Sequence, residues 1–534
     1  MVHLTGAQIW TGTGSVISEG TVTVHTGRIV AVTAEPPPSG TSASDVVELA
    51  GHTIVPGFQD AHCHPTHGGM RQLDCDLDRA GGRRACIEAV GAYASANPDE
   101  PWISGGGWRM PYFPGGTPRR EDLDAVVADR PVFLINADGH GAWVNSRALE
   151  VADITAGTPD PVDGRIERDA DGSPTGTLHE GAMELVRRHM PLPDHDRAVA
   201  ALRVGQAHLH ALGITAWTDA WVTPEDLHAY HALSDAGALT GKVTAALWWE
   251  RHRGLEQIDD LVASRAATRG DHLTASTVKI MADGVVENGT AAMLAPYLNL
   301  SGETTENHGL RYLDPTVLSY AVVALDRLDF QVHVHAIGDA AVRDALDAFE
   351  AARRAGGTGT RHTIAHLQVV QPDDLPRFAE LGVIANAQPY WAQLEAQMTE
   401  LTLPVLGPER SDLQYPWAGL LASGATLAFG SDWPVSTADP LWGLEVAVNR
   451  ADPEHRDAEP FLPAQRLRLD DALAAATRTS AVVQGLDDST GVLAPGMAAD
   501  LAVLDGPLFG AGGRAPADLQ VELTMVDGDL VHRA

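Results

Sequence analysis

Two periodicities divide the chain. Between residues 1 and 54, Val, Thr and Ile alternate with polar positions and glycine marks the turns, as in AQIWTG, TVTVHTGRIVAV and DVVELAGHTIVPG. A two-residue period of this kind predicts short, half-buried strands. The stretches GVLAPGMAADLAVLDG and VELTMVDGDLVHRA repeat the pattern near the other end, with Asp527-Gly528 as a turn pair. Neither segment buries a core alone. Residues 1–54 and 487–534 are therefore expected to form one composite β-sandwich, with the rest of the chain inserted into it.

Strand-like and helix-like stretches alternate through the middle, the mark of repeated βα units. Strands are predicted at Ile54–His64, Ile214–Asp219, Val243–Trp248, Thr274–Ala282, Gln331–Ala336, Thr363–Leu367, Val383–Ala387 and Leu427–Asp432. Residues 339–354 and 371–382 carry helical patterns. Eight strands in series predict an α/β fold, a (β/α)8 TIM barrel over residues 55–486. The first and second strands lie about 150 residues apart, too far for one crossover helix. An inserted subdomain is expected at 68–190, containing the Gly/Pro-rich stretch GGGWRMPYFPGGTP.

Composition narrows the class. With 44 % hydrophobic and 20 % charged residues the chain can bury a large core, which excludes disordered and fibrous classes. A net charge of −34 disfavours nucleic acid and anionic membranes as partners. No apolar run reaches the roughly 18 residues needed to span a bilayer. No secretory signal is visible, and three cysteines cannot build a disulfide framework. The expectation is a cytoplasmic protein acting on a small molecule, with a homo-oligomer left open. Among the 37 basic residues only Lys242 and Lys279 are lysine.

The chemistry concentrates at predicted strand ends. In PGFQDAHCHP, His62 and His64 stand two apart, so on a strand both imidazoles face the same side while Cys63 packs on the other. At the end of a first barrel strand they would face the mouth, where such barrels keep their active sites. Neutral imidazoles in a pair are natural metal ligands. Four later strand ends each add a donor: Lys279 in STVKIMADG, His335 in VHVHAIGD, His366 in HTIAHLQ and Asp432 in LAFGSDWP.

This order resembles the binuclear amidohydrolase superfamily. The phrases VPGFQDAHCHP, DGHGAWVNSRAL, VKIMADG, VHVHAIGDAAV, RHTIAHLQVVQPDDLPRFAELGVIANAQP, FGSDWPVSTADP and LAPGMAADLAVLD resemble amidohydrolase family 3, the branch that includes N-substituted formamide deformylases. The resemblance implies a metal-bearing barrel with His62, His64, Lys279, His335, His366 and Asp432 as ligands to two divalent ions, zinc first. It implies hydrolysis of a non-peptide C–N bond, as in an amide or N-substituted formamide, by a metal-activated hydroxide. Asp432 is expected to move the proton and Lys279 to bridge the ions as a carbamate formed with carbon dioxide. A lysine kept inside a motif of so arginine-rich a chain fits that role, because guanidinium cannot be deprotonated. The plainer alternative pairs Lys279 with a carboxylate such as Asp283.

Other readings stay open at this point. A deaminase, a cyclic-amide hydrolase or a catalytically inactive structural relative could use the same scaffold. In this superfamily, deaminases usually lack the fourth-strand lysine. Val285–Asn288 depart from the formamide deformylase pattern and resemble another subgroup. His333 shares a face with His335, and His67 follows the first motif. Asp339 is expected to cap the helix it opens. His140, Trp108 and Trp433 are candidate substrate contacts. Trp221, Trp248, Trp249 and Trp391 fall near strand ends, Trp143 lies in the insertion, and together these rings suggest an apolar or aromatic substrate.

Overall fold

Eight parallel strands follow one another around a barrel in the computed structural model, which describes residues 1–191, 194–357, 359 and 361–534. They are β1 (Phe58–Cys63), β2 (Ile214–Val222), β3 (Lys242–Trp248), β4 (Leu273–Met281), β5 (Gln331–Ala336), β6 (Thr363–His366), β7 (Ile384–Ala387) and β8 (Thr426–Phe429). Each pairs in parallel with the next. Hydrogen bonds close the barrel onto β1: Asp432 N–H, just after β8, donates to His62 O at 2.7 Å, and Asn386 Nδ2 of β7 donates to Ala61 O at 2.8 Å. This is the expected TIM barrel.

Two predicted strands come out differently. The eighth ends at Phe429, leaving Asp432 in the following loop. The run Ile54–His64 breaks at Gly57, and its first part, Thr53–Pro56, belongs to another sheet. A side chain at 57 could not fit, because its Cβ would lie 2.4 Å from Thr215 Oγ1. Gly57 N–H instead donates to Asp500 O at 3.0 Å, and Phe58 N–H donates to Gly213 O at 3.0 Å. A glycine thus switches the chain from sheet to barrel without an interrupting loop.

That other sheet has eight strands drawn from both ends of the sequence. Its order is 529–533, 521–526, 501–504, 53–56, 2–10, 16–25 and 28–33, with 46–48 also pairing against 2–10. Leu4, Ile9, Val22, Ile54, Leu501 and Val503 share its apolar core. Lys242, at the start of β3, ties the sheet to the barrel. Its Nζ donates to Asp500 Oδ2 at 2.5 Å and to Asp527 Oδ1 at 2.9 Å, and His272 Nε2 lies 2.8 Å from Asp527 Oδ2.

A third sheet of six strands, spanning residues 75–180, follows helix α1 (Pro65–Leu73) and precedes α2 (His195–Ala211). Cys86, Trp108, Phe113, Leu134 and Trp143 pack its core. Helix α3 spans Asp339–Arg354 as its pattern predicts. Among the described residues, no helix is long and apolar enough to cross a membrane.

Candidate metal centre

At the C-terminal end of β1 the two-residue spacing brings His62 and His64 to the same carboxylate. His64 Nε2 lies 2.9 Å, and His62 Nε2 3.3 Å, from Asp432 Oδ1. Cys63 points the other way and is buried, its Sγ 3.7 Å from Thr218 O. Asp432 and His366 both take left-handed backbone, at φ 57° and 80°. Such conformations cost about 1–3 kcal/mol each in non-glycine residues and cluster at functional sites. His366 Nδ1 approaches Asp432 Oδ2 at 3.9 Å. The His366 ring lies 4.8 Å from His62 and 4.4 Å from His335. Lys279 Nζ completes the group, 3.5 Å from His62 Nε2. All six residues inferred from strand ends therefore meet in one cluster.

The electrostatics suit a cation. Burial pushes His62, His335 and His366 well below the usual imidazole pKa, so they offer neutral lone pairs. Burial opposes charge on Asp432, but the hydrogen bond from His64 and the neighbouring His366 outweigh it and hold the carboxyl below its ordinary value. Burial brings Lys279 down to about 7 against the opposing pull of Asp432. His64 Nδ1 and His366 Nδ1 are buried without hydrogen-bond partners. One ligand atom each from His62, His64 and Asp432 lies within 4.8 Å of the others. Neutral imidazoles beside an ionised carboxylate form a donor set for a divalent ion.

Around the cluster, Asp60 escaped the sequence reading, and His333, Asp283 and Asp339 take roles it did not assign. His333 turns its Nε2 to His62 Nδ1 at 2.8 Å, and its Nδ1 to Thr363 Oγ1 at 2.7 Å. The His333 ring packs behind His62 at 4.8 Å, whereas His335 packs on His366 at 4.4 Å. Asp60 lies inside the first motif and accepts from His62 N–H at 3.1 Å and Ser431 N–H at 2.9 Å. Burial raises its pKa to about 7, against the lowering effect of Ser431. Asp283 accepts backbone N–H groups of Ala292, Ile337 and Gly338 at 2.9–3.0 Å. It forms no ion pair with Lys279 among the described residues. Asp339, expected to cap its helix, instead accepts from Leu294 N–H and Gln371 Nε2 at 2.8 and 2.7 Å. The cap position is Gly338, and Asp283 serves its N–H.

The aromatic candidates divide. Trp108 is a core residue of the insertion: it is buried, donates Nε1–H to Leu134 O at 2.8 Å and packs on Phe113 and Trp143. Trp433 is also buried, stacked on His208 at 4.6 Å and pressed against Gly68. Neither ring is free to meet a substrate; neighbours in sequence could not reveal which face each would bury. Trp249 is buried as well. Trp221, Trp248 and Trp391 are half-buried; the first two stack at 4.7 Å, and Trp391 stacks on His366 at 5.3 Å. His67 lies beside Trp221 at 4.8 Å, and burial lowers its pKa to about 3. His140 does reach the centre, its ring 5.6 Å from that of His335. Its Nδ1 sits 3.0 Å from both oxygens of Glu180. Burial opposes charge on His140, but the Glu180 carboxylate prevails and raises its pKa to about 9.

Comparison with known proteins agrees with this arrangement. The model of the amidohydrolase family matches residues 45–532. "Protein LONG AFTER FAR-RED 3" of Arabidopsis thaliana is 30 % identical, over 94 % of this chain and 86 % of its own. "N-substituted formamide deformylase" of Arthrobacter pascens is 28 % identical, over 95 % of this chain and 94 % of its own. The crystal structure of an uncharacterized metal-dependent hydrolase from Pyrococcus furiosus is 27 % identical with a TM-score of 0.70. It covers 94 % of this chain and 98 % of that one.

Proposed function

This chain belongs to the amidohydrolase family, and from that premise we propose that it hydrolyses a non-peptide C–N bond in a small amide, of the N-substituted formamide type. The observation that carries the reading is the buried meeting of four imidazoles, one lysine and one carboxylate at the barrel mouth. A relative that shares 28 % identity over nearly both full lengths is an N-substituted formamide deformylase, which favours the formamide end of the amide range.

His62, His64 and Asp432 would hold one divalent ion, and His335 and His366 a second. Imidazole and carboxylate donors without thiolate suit zinc and also accept manganese, iron or cobalt. Such ions, when bound, polarise a carbonyl and bring the pKa of water toward about 7. Lys279 is suited to stand between the two sites as a carbamate. Burial leaves its amine partly neutral at physiological pH, and a neutral amine adds carbon dioxide, forming an N–C bond and releasing one proton. Asp432 is the base: its carboxylate takes a proton from the attacking water and passes it to the departing nitrogen. Trp221, Trp248 and Trp391 form apolar surface beside these groups, which favours an apolar or aromatic substituent on the amide.

The test is a hydrolysis screen of N-formyl and N-acyl amines, carbamates and lactams with metal-loaded protein. Amide turnover that a chelator abolishes and added metal restores is the expected result. Protein that binds metal yet turns over only non-amide substrates overturns the reading.

A further inference from the structure

The inserted subdomain reaches the metal centre through one side chain. His140 lies in the turn between strands 132–136 and 141–144, and its position is fixed from several directions. Its own N–H donates to Asp138 Oδ1 at 2.8 Å. Its carbonyl accepts from Glu180 N–H at 3.1 Å and from Asn288 Nδ2 at 3.2 Å. The imidazole Nδ1 faces both oxygens of Glu180 at 3.0 Å. Glu180 is in turn held by the Thr290 hydroxyl, which donates to Oε1 at 2.8 Å. The other ring nitrogen, Nε2, has no hydrogen-bond partner among the described residues, and the side chain keeps 14 % of its surface open.

The loop after β4 is shaped to receive this pair. Gly284 O lies 3.2 Å from His335 Nε2, on the ligand side. On its other side a Cβ at 284 would stand 2.6 Å from Glu180 Oε1 and 2.2 Å from Thr290 Oγ1. Glycine at this position lets Glu180 sit against the same backbone that holds His335. Asn288, which completes the seat with Thr290, ends the segment that departs from the formamide deformylase pattern.

We propose that His140 is a further catalytic residue, donating from Nε2 to the acyl oxygen of the substrate, with Glu180 as its positioning residue. A carboxylate accepts only, so Nδ1 carries a hydrogen and the ring is aimed by that bond; paired with the buried Glu180 carboxylate the ring is an imidazolium, which carries a hydrogen on Nε2 as well. The ring lies 5.6 Å from that of ligand His335. A donor fixed in advance where charge develops on a carbonyl oxygen is among the strongest contributions to acyl transfer. The barrel supplies the nucleophile's site and the insertion supplies the oxygen's partner. This inference rests on the amide-hydrolase reading.

Acetohydroxamate, a small amide analogue that binds such metal sites through its oxygens, probes the contact without turnover. Calorimetric titration into zinc-loaded wild type should give measurable binding. His140→Ala should weaken it about ten- to a hundredfold, the loss of one hydrogen bond to a charged group, with zinc content unchanged. His140→Gln keeps a donor and fills the space, so it should recover part of the affinity. Glu180→Gln should fall between wild type and His140→Ala, because it loosens the ring without removing it. Wild-type affinity in both His140→Ala and Glu180→Gln overturns the proposal alone. Loss of zinc in parallel with hydroxamate makes the pair a support for His335 and also overturns it. A wild-type protein that takes up no zinc overturns the amide-hydrolase reading, and this inference with it.

Discussion

His333 Nε2 sits 2.8 Å from Nδ1 of His62 and so decides which nitrogen of His62 faces the centre. With Thr363 Oγ1 2.7 Å from the far side of His333, a hydrogen-bonded chain runs from β6 through β5 to β1. Nε2 of His62 is left toward Asp432 and Lys279. Residues behind a ligand fix its tautomer and raise its basicity. His333→Phe keeps the ring volume but removes both bonds. Zinc affinity, measured by competition with a chromophoric chelator, should fall about 10–100-fold while all six ligands remain.

Changing His62 and His64 together to alanine removes both imidazoles that share Asp432. Bound metal, measured by plasma mass spectrometry, should fall, and turnover of any accepted substrate should vanish. Circular dichroism should show the fold retained, because the apolar core of the barrel lies beneath the ligands. Near-wild-type turnover would show that the first-strand pair lies outside the active centre.

Asp432→Asn separates binding from proton transfer. The amide keeps one oxygen for a metal but cannot act as a base at neutral pH. A rate loss of about 10²–10⁴ is expected, with metal content falling far less. Equal losses of metal and rate would make Asp432 a ligand only.

For Lys279, charge and chemistry predict opposite outcomes. A carbamate bridge is an anion, so Lys279→Arg should be inactive although it keeps the positive charge. Lys279→Ala should be inactive too, but formate or acetate entering the vacated space should restore part of the rate. An active Lys279→Arg protein would exclude the carbamate.

The joint between sheet and barrel has its own test. Lys242→Met leaves Asp500, whose side chain is fully buried, without its cation. Loss of one partner from a buried pair costs about 3–5 kcal/mol, so the thermal midpoint should drop by several degrees in calorimetry. Asp527→Asn should cost less, since that side chain is 39 % exposed. Burial opposes charge on Asp527, but His272 and Lys242 hold its pKa at about 2. Its contribution is therefore complete above the unfolded value of about 3.9 and lost as pH falls through about 2. Melting curves between those values should show an acid-side loss in wild type that Asp527→Asn lacks.

Most of the barrel was legible because each strand carries its own apolar run and ends in a chemical signature. Ile54–His64 reads as one strand, since a continuous extended stretch does not reveal that Gly57 passes it from one sheet to another. The six clustered donors could be found because strand ends in a barrel converge. Glu180 could not, since forty residues and a folded hairpin separate it from His140. Trp108 and Trp433 misled for a related reason: aromatic rings near a mouth are legible, but the side on which each packs depends on distant neighbours such as Leu134 and His208. Asp339 looked like a helix cap from its position alone, and Asp283, in another loop, holds that place.

The handover at Gly57 also dictates an order of events during synthesis. Strand 53–56 pairs with 2–10 on one side, but its other edge pairs with 501–504 and has no partner until the ribosome has passed nearly the whole barrel. At about 5–20 residues per second, that wait lasts roughly 20 seconds to a minute and a half. β1 follows that half-paired strand directly, so His62 and His64 are made long before the partners that complete their surroundings. The six-residue cluster can assemble only once Asp432 and these late-made strands have arrived.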